Sequence, residues 1–283
     1  MLHDLGDAQV DAVPSSLSFS FKALELTGQL RQSSNELLTG YWQILMHDPA
    51  GNDTTKTWFL AIVRGQVVFS DTQPLSWSSL VEILRRYVPR TRTPQAQLAI
   101  QALQQKYESA GQTIPLATML SRMEEVGLLE REDGLKALRQ KALSDFDEYF
   151  RSSGQAQFQP KPNLDHQAPI QGFDLNTLLF EAVKRRVEWE QVQTHLPAMD
   201  CVLSLKPSVL SNPDLPDLQK QQLQNLLQHG RPLDAIAYDM GKDALTASKT
   251  FAQLVRKGWV TVGGGNSSPT NCLKTLTSAA QRH

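Results

Sequence analysis

Residues 231–262 read RPLDAIAYDMGKDALTASKTFAQLVRKGWVTV. Leu233, Ile236 and Ala237 give one short amphipathic helix. Met240-Gly241-Lys242 makes a turn, and Asp243 stands as the N-cap of a second helix whose Leu245, Phe251, Leu254 and Val255 share a face. Gly258 ends that helix, and Trp259 to Val262 reads as a strand. Helix, tight turn, helix and wing strand are the layout of a winged helix-turn-helix.

Charge decides what such a module does. A recognition helix reads base edges from its N-terminal half, while cations neutralise phosphates. Here that half opens with Asp243, and its one cation is Lys249. Arg256 and Lys257 sit at the other end, where they suit the helix dipole. Residues 174–262 hold ten acids and ten bases, without the basic surplus of a nucleic-acid module. The stretch reads as a protein-interaction or packing module. The alternative is a winged-helix DNA-binding transcriptional regulator that uses Lys249, Arg256 and Lys257.

The rest of the chain agrees with a globular, uncharged background. Its 283 residues carry 28 basic and 29 acidic side chains, a net charge of −1 that gives no field to draw in nucleic acid or an anionic membrane. Cys201 and Cys272 are far apart and belong to no CxxC, so both are expected as free thiols in a reducing compartment. The start, MLHDLGDAQVDAVPSS, lacks the apolar core of a signal peptide, and the longest strongly apolar run, Trp58 to Val63, is too short to cross a bilayer. A cytoplasmic location follows as the expectation.

Upstream the periodicity changes twice. SLSFSFKALELTGQLRQSSNELLTG starts with Phe19 and Phe21 alternating with serines and continues as a leucine-rich helix, with Gly40 as its C-cap. Period-two patterning then predicts strands at 41–47, 57–63 and 66–70, a small antiparallel sheet with a hairpin turn where Gly65 supplies positive φ. Helices follow: one capped by Ser76 and stopped by Pro89, one opened by Pro94, one at IPLATMLSRMEEVG, and one with Leu135, Leu138, Ala142, Phe146 and Phe150 along a stripe. Residues 152–172, rich in Ser, Gly, Gln and Pro, read as a linker. Asp174 then caps a long helix with a stripe of Leu178, Leu179, Val183, Val187 and Val192, and a further helix ends at Gly230. The expected fold is α+β: a flexible N-terminus at 1–15, an α+β domain at 16–151, the linker, a winged-helix-like helical domain at 173–262 and a disordered tail at 263–283.

Enzyme signatures are missing: no GxSxG, GxxxxGK[ST], HExxH or GxGxxG occurs. His3, His47, His166, His195, His229 and His283 are scattered, none at helical ligand spacing from another His or from a Cys. GGGN at 263–266 has no helix or lysine after it to complete a phosphate cradle. Arg231-Pro-Leu-Asp234 matches a loose RxxD pattern of some nucleotide sites, but Pro232 and Asp234 also suit the first turn of a helix, and that reading is favoured. Lys184-Arg185-Arg186 is followed by Glu188 and Glu190 at i,i+4, which makes a solvated, self-paired face. Trp42, Trp58, Trp77, Trp189 and Trp259 serve as core or as interface anchors. No catalytic, metal or cofactor residues are therefore expected.

The order of these pieces resembles a known family. The leucine-rich helix, the strand YWQILMHD and the hairpin WFLAIVRGQVVFS are similar to the PATAN domain of PatA-type response regulators, with Arg64-Gly65-Gln66 opening the second hairpin arm. The helix EAVKRRVEWEQVQTHLPAMDCVLSL and the winged-helix string resemble the region that accompanies such domains. The resemblance spans roughly residues 17–262, most of the chain by a two-domain reading. It implies a non-enzymatic signalling adaptor of cyanobacterial type, acting in phototaxis, type IV pilus motility or cell differentiation. The implied partners are proteins, among them the type IV pilus extension ATPase. Many members continue into a receiver domain; the residues after Val262 contain no Asp or Glu and do not make one. On exposure alone, the hairpin tip at Arg64, Gly65 and Gln66 is the expected partner-binding site.

Overall fold

The computed structural model describes residues 17–22, 25–47, 55–108, 115–196, 199–213, 215–227 and 229–263. The N-terminus at 1–15, and all but Gly263 of the tail with Cys272, lie outside them. The fold is α+β, with a six-stranded antiparallel sheet ordered β1-β5-β2-β3-β4-β6. Its strands are β1 (Ser18–Phe21), β2 (Gly40–His47), β3 (Thr55–Val63), β4 (Gln66–Asp71), β5 (Ser153–Pro160) and the short β6 (Phe173–Asp174). Helix α1 (Glu25–Asn35) joins β1 to β2, and α2 (Trp77–Tyr87), α3 (Pro94–Glu108), α4 (Leu116–Glu125) and α5 (Arg131–Tyr149) run between β4 and β5. The four-residue α6 (Leu164–Gln167) precedes β6, and α7 (Leu175–Gln193) leaves the sheet.

Both faces of this sheet are covered, which explains the unbroken apolar run at 58–63. Trp58, Leu60 and Ile62 point with Trp42 and Ile44 into one core, closed by α1, the second half of α5 and the start of α7. Phe59, Ala61 and Val63 point into the other, closed by α2, α4 and the first half of α5. A strand buried on both faces reads as continuous rather than alternating. Trp42 and Trp58 share a face, as their neighbouring strands predict, and both are core residues. Ser76 caps α2 through a full capping box with Ser79.

The second lobe is the winged helix. Strands β8 (Arg231–Pro232), β7 (Val202–Leu205) and β9 (Val260–Gly263) form a small sheet in that order, beside α8 (Asp217–Leu227), α9 (Leu233–Asp239) and α10 (Ala244–Arg256). Asp243 caps α10 by accepting the Thr246 amide. Trp189 and Val192 of α7 join Leu203, Ile236, Leu245 and Phe251 in its core.

Five expectations are corrected. The linker at 152–172 contains β5, an inner strand paired to both β1 and β2. Its inward residues are Gly154, Ala156 and Phe158; a Cβ on Gly154 would collide with the Leu45 carbonyl, and Phe158 packs against Trp42 in the core. The division between lobes falls inside α7 instead, since Leu175 to Ala182 belong to the sheet core and Trp189 onward to the winged-helix core. Gly40 does not cap α1; it opens β2, where a side chain would collide with the Gln159 carbonyl. Val183 and Val187 are 46% and 53% exposed, because the buried face of α7 runs through Leu178, Ala182, Arg185, Trp189 and Val192. Residues 202–205, read as the end of the long helix, are strand β7.

Candidate functional site

The hairpin tip is built from two left-handed residues in succession, Arg64 at φ 49° and Gly65 at φ 76°, the conformation of a two-residue turn that matches strand twist. The tip is clamped from behind. The Arg64 amide donates to Thr39 Oγ1 at 3.0 Å, and the Gly65 amide to the Leu38 carbonyl at 2.9 Å. A Cβ on Gly65 would stand 2.8 Å from the Ser34 carbonyl oxygen, so the turn needs glycine for its φ and for this approach. Gly65 is therefore buried, which corrects the expectation of a wholly exposed tip; Arg64 and Gln66 are exposed.

In front of the tip lies an open groove of about 1120 Å³. Its apolar wall includes Val63, Leu120, Leu129, Leu135, Ile170 and Phe173. Its rim carries Arg64, Gln66, Glu124, Arg131, Asp165 and His166. Leu129 reaches the groove over Gly134 of α5, where a Cβ would stand 3.2 Å from the Leu129 side chain. Arg64 is 80% exposed and 4.0 Å from Asp165, a loose pair that leaves its guanidinium free to meet another group. Of the hairpin tip expected from the sequence, Arg64 and Gln66 line the groove. Sequence reasoning missed α4 and the 165–173 segment, whose residues reach the groove only through the tertiary fold.

Two of the candidate DNA contacts, Lys249 and Arg256, line one small cleft of about 230 Å³, and they share it with an acid, Glu188 of α7, and with His195. Lys249 Nζ is bound to Glu188 at 3.1 Å. Lys257 lies over the Trp259 ring, 4.8 Å from its centre. One side of the N-terminal end of α10 packs against the sheet lobe, while Thr246 and Lys249 stay exposed. Gly241, just before the helix, packs so close to Pro89 that a Cβ would stand 2.7 Å from the proline ring.

Beneath that end lies a buried charge cluster. Arg185 Nε and Nη2 donate to the two Asp147 oxygens at 3.0 and 2.6 Å, and Nη2 also donates to Asp243 Oδ1 at 2.8 Å. Burial opposes the Arg185 charge, but Asp147 and Asp243 outweigh it and hold its pKa above the ordinary value. Burial likewise opposes the Asp243 charge, and Arg185 with Thr246 keeps that carboxyl below the usual range. The expected solvated face at Lys184-Arg185-Arg186 is thus corrected at its centre: Arg186 does pair with Glu190 at 3.6 Å, but Arg185 ties α5, α7 and α10 together.

A second buried polar knot sits at the end of β4. Ser70 Oγ donates to Asp145 Oδ2 at 2.6 Å and lies 3.0 Å from the Tyr149 hydroxyl. Lys141 Nζ bonds both Asp145 oxygens at 2.7 Å and stands 3.2 Å from Asp71. Burial pushes the Asp145 carboxyl up to about 6, against the pull of Lys141 and Ser70. Only the i,i+4 spacing of Lys141 and Asp145 signals this knot in the sequence.

Among the described residues no group of three or more His, Cys, Asp or Glu is placed to hold a metal ion, Cys201 is buried, and no helix is long and apolar enough to cross a membrane. No family model, curated protein or solved structure matches the chain. The PATAN resemblance rests on the residues that carry it.

Proposed function

We propose that the protein is a non-enzymatic, cytoplasmic signalling adaptor whose sheet lobe captures a protein partner in the groove beside the hairpin tip. The observation that carries this reading is the groove itself. A turn clamped by two hydrogen bonds and a close backbone approach holds Arg64 at the rim of an open, apolar-walled surface, and a rigid platform with a free cation is what a protein interface uses. The PATAN resemblance supplies the partner to try first, the type IV pilus extension ATPase. The transcription-factor alternative needs the N-terminal end of α10 free to enter a major groove, and on one side Gly241 and Asp243 at that end pack against Pro89 and Arg185.

The test is direct binding of the purified ATPase to the full chain and to two groove variants, Arg64→Glu and Leu120→Arg. Binding that both variants weaken supports the reading. Binding that neither variant changes removes the groove as the site, and no binding removes the pilus version of the function.

A further inference from the structure

A separate crevice of about 450 Å³ lies where the two lobes meet, lined by Arg86, Arg231, Asp234, Ala235, Tyr238 and Asp239. Arg86 comes from α2 of the sheet lobe, and the other five come from the winged helix. The Arg231-Pro-Leu-Asp234 string, which reads as a helix start in the sequence, puts both of its charged ends in this crevice.

The charges there are unevenly matched. Arg231 Nη2 is paired with Asp239 Oδ2 at 2.7 Å. Arg86 forms no ion pair among the described residues, and its Nη1 is enclosed without a hydrogen-bond partner. Its guanidinium lies 5.5 Å from the centre of the Tyr87 ring and 5.4 Å from that of Tyr238. The Arg92 guanidinium lies 4.0 Å from the Tyr238 ring, so two cations share one aromatic ring. Burial, and then the like charge of Arg92, lower the Arg86 pKa against the pull of nearby groups. An enclosed guanidinium donor without an acceptor is costly, and a small turn of the Arg86 side chain toward a ligand oxygen in the crevice removes the cost.

The geometry points to a binding site for a small phosphate-bearing ligand, with Arg86 and Arg231 as donors from opposite lobes. Arginine's planar fork fits phosphate oxygens, and a crevice of this volume falls within the range of small-molecule sites. Tyr238 is 41% exposed, and the part of its ring that Arg86 and Arg92 leave open offers an edge for a ligand ring. Asp234 repels a second anionic group but accepts N–H donors, which suits a nucleoside monophosphate better than a polyphosphate. Asp239 acts as the competitor that the phosphate displaces from Arg231. A ligand held from both sides ties the lobes together more firmly.

Calorimetric titration of the full chain at low salt, with inorganic phosphate, AMP and GMP as probes, tests this. Saturable binding is expected for at least one probe. If phosphate binds as tightly as the nucleotides, the source is free phosphate; if the nucleotides bind tighter, it is a nucleotide. Arg86→Met weakens binding about tenfold or more. Asp239→Asn, which frees Arg231, tightens it. Should Arg86→Met fail to fold, Arg231→Met carries the same expectation from the other lobe. No saturable binding of any probe, unchanged affinity in the arginine variants, or weaker binding in Asp239→Asn overturns the proposal.

Discussion

Arg64 at the groove is 80% exposed and stands 4.0 Å from Asp165, whereas Arg185 at the lobe junction is 10% exposed and bonds two carboxylates at 2.6 to 3.0 Å. The same side chain does opposite work in the two places. At the groove a rigid backbone presents a free charge to solvent. At the junction a buried charge has all its surroundings specified, and it fixes how the winged helix sits on the sheet lobe. Buried ionic groups are poor sources of net stability but severe to break, because removing one partner leaves the other uncompensated. Surface pairs cost little either way. The contrast therefore predicts a graded set of responses.

Arg185→Met is the largest. It strands Asp147 and Asp243 in a space where they are 4% and 3% exposed, and a cost of about 3–5 kcal/mol is expected in denaturant unfolding. A cost below about 1 kcal/mol would show that the junction opens to water and is not a fixed contact.

Next comes a response to pH. The Asp145 carboxyl is held near 6 in the folded protein against an ordinary value of 3.8. The folded state thus keeps a proton that the unfolded state has lost between these two values. Stability falls as pH rises through that window, by up to about 1.4 kcal/mol per pH unit, and is level above it. Comparing urea unfolding of the protein and its Asp145→Asn variant from pH 4 to 7 isolates this group. The difference between the two should shift against the parent protein as pH rises to about 6. A difference that does not vary with pH means that Lys141 keeps the carboxylate charged throughout.

Asp243→Ala ranks third. It removes the cap of α10, worth about 0.5–2 kcal/mol, yet leaves Arg185 its two bonds to Asp147. Its cost should fall below that of Arg185→Met. If the two are equal, Asp243 and not Asp147 holds the arginine.

These responses also mark how far the fold could be read from the residues. The hairpin, the caps at Ser76, Asp174 and Asp243, and the winged helix are legible because each depends on neighbours in sequence. Strand β5 is not, because its inward positions are Gly154, Ala156 and Phe158 between glutamines and a serine. Close backbone approach demands glycine at 154, and Gly154 with Ala156 leaves Phe158 as the one strong hydrophobic signal in the strand. Arg185 is hidden for a related reason. It occupies an inward position on α7 between Lys184 and Arg186, so local charge reads as a solvated face, while the partners that bury it are 38 and 58 residues away. In the groove, the turn was legible and the opposing wall was not.

Arg64→Glu is the smallest change in stability and the sharpest test of the comparison. The side chain makes one loose pair, its backbone bonds do not depend on the guanidinium, and its positive φ is equally awkward for either residue. The thermal midpoint and unfolding free energy should stay within about 0.5 kcal/mol of the parent protein. Partner binding at the groove should nevertheless fall, and the loss should shrink as salt is raised, because an exposed charge acts over a screened distance. A variant that loses stability shows that the tip is a structural corner and not a presented surface. One that keeps both stability and binding places the interface elsewhere on the molecule, with the exposed Phe180, Val183 and Val187 of α7 the next surface to substitute.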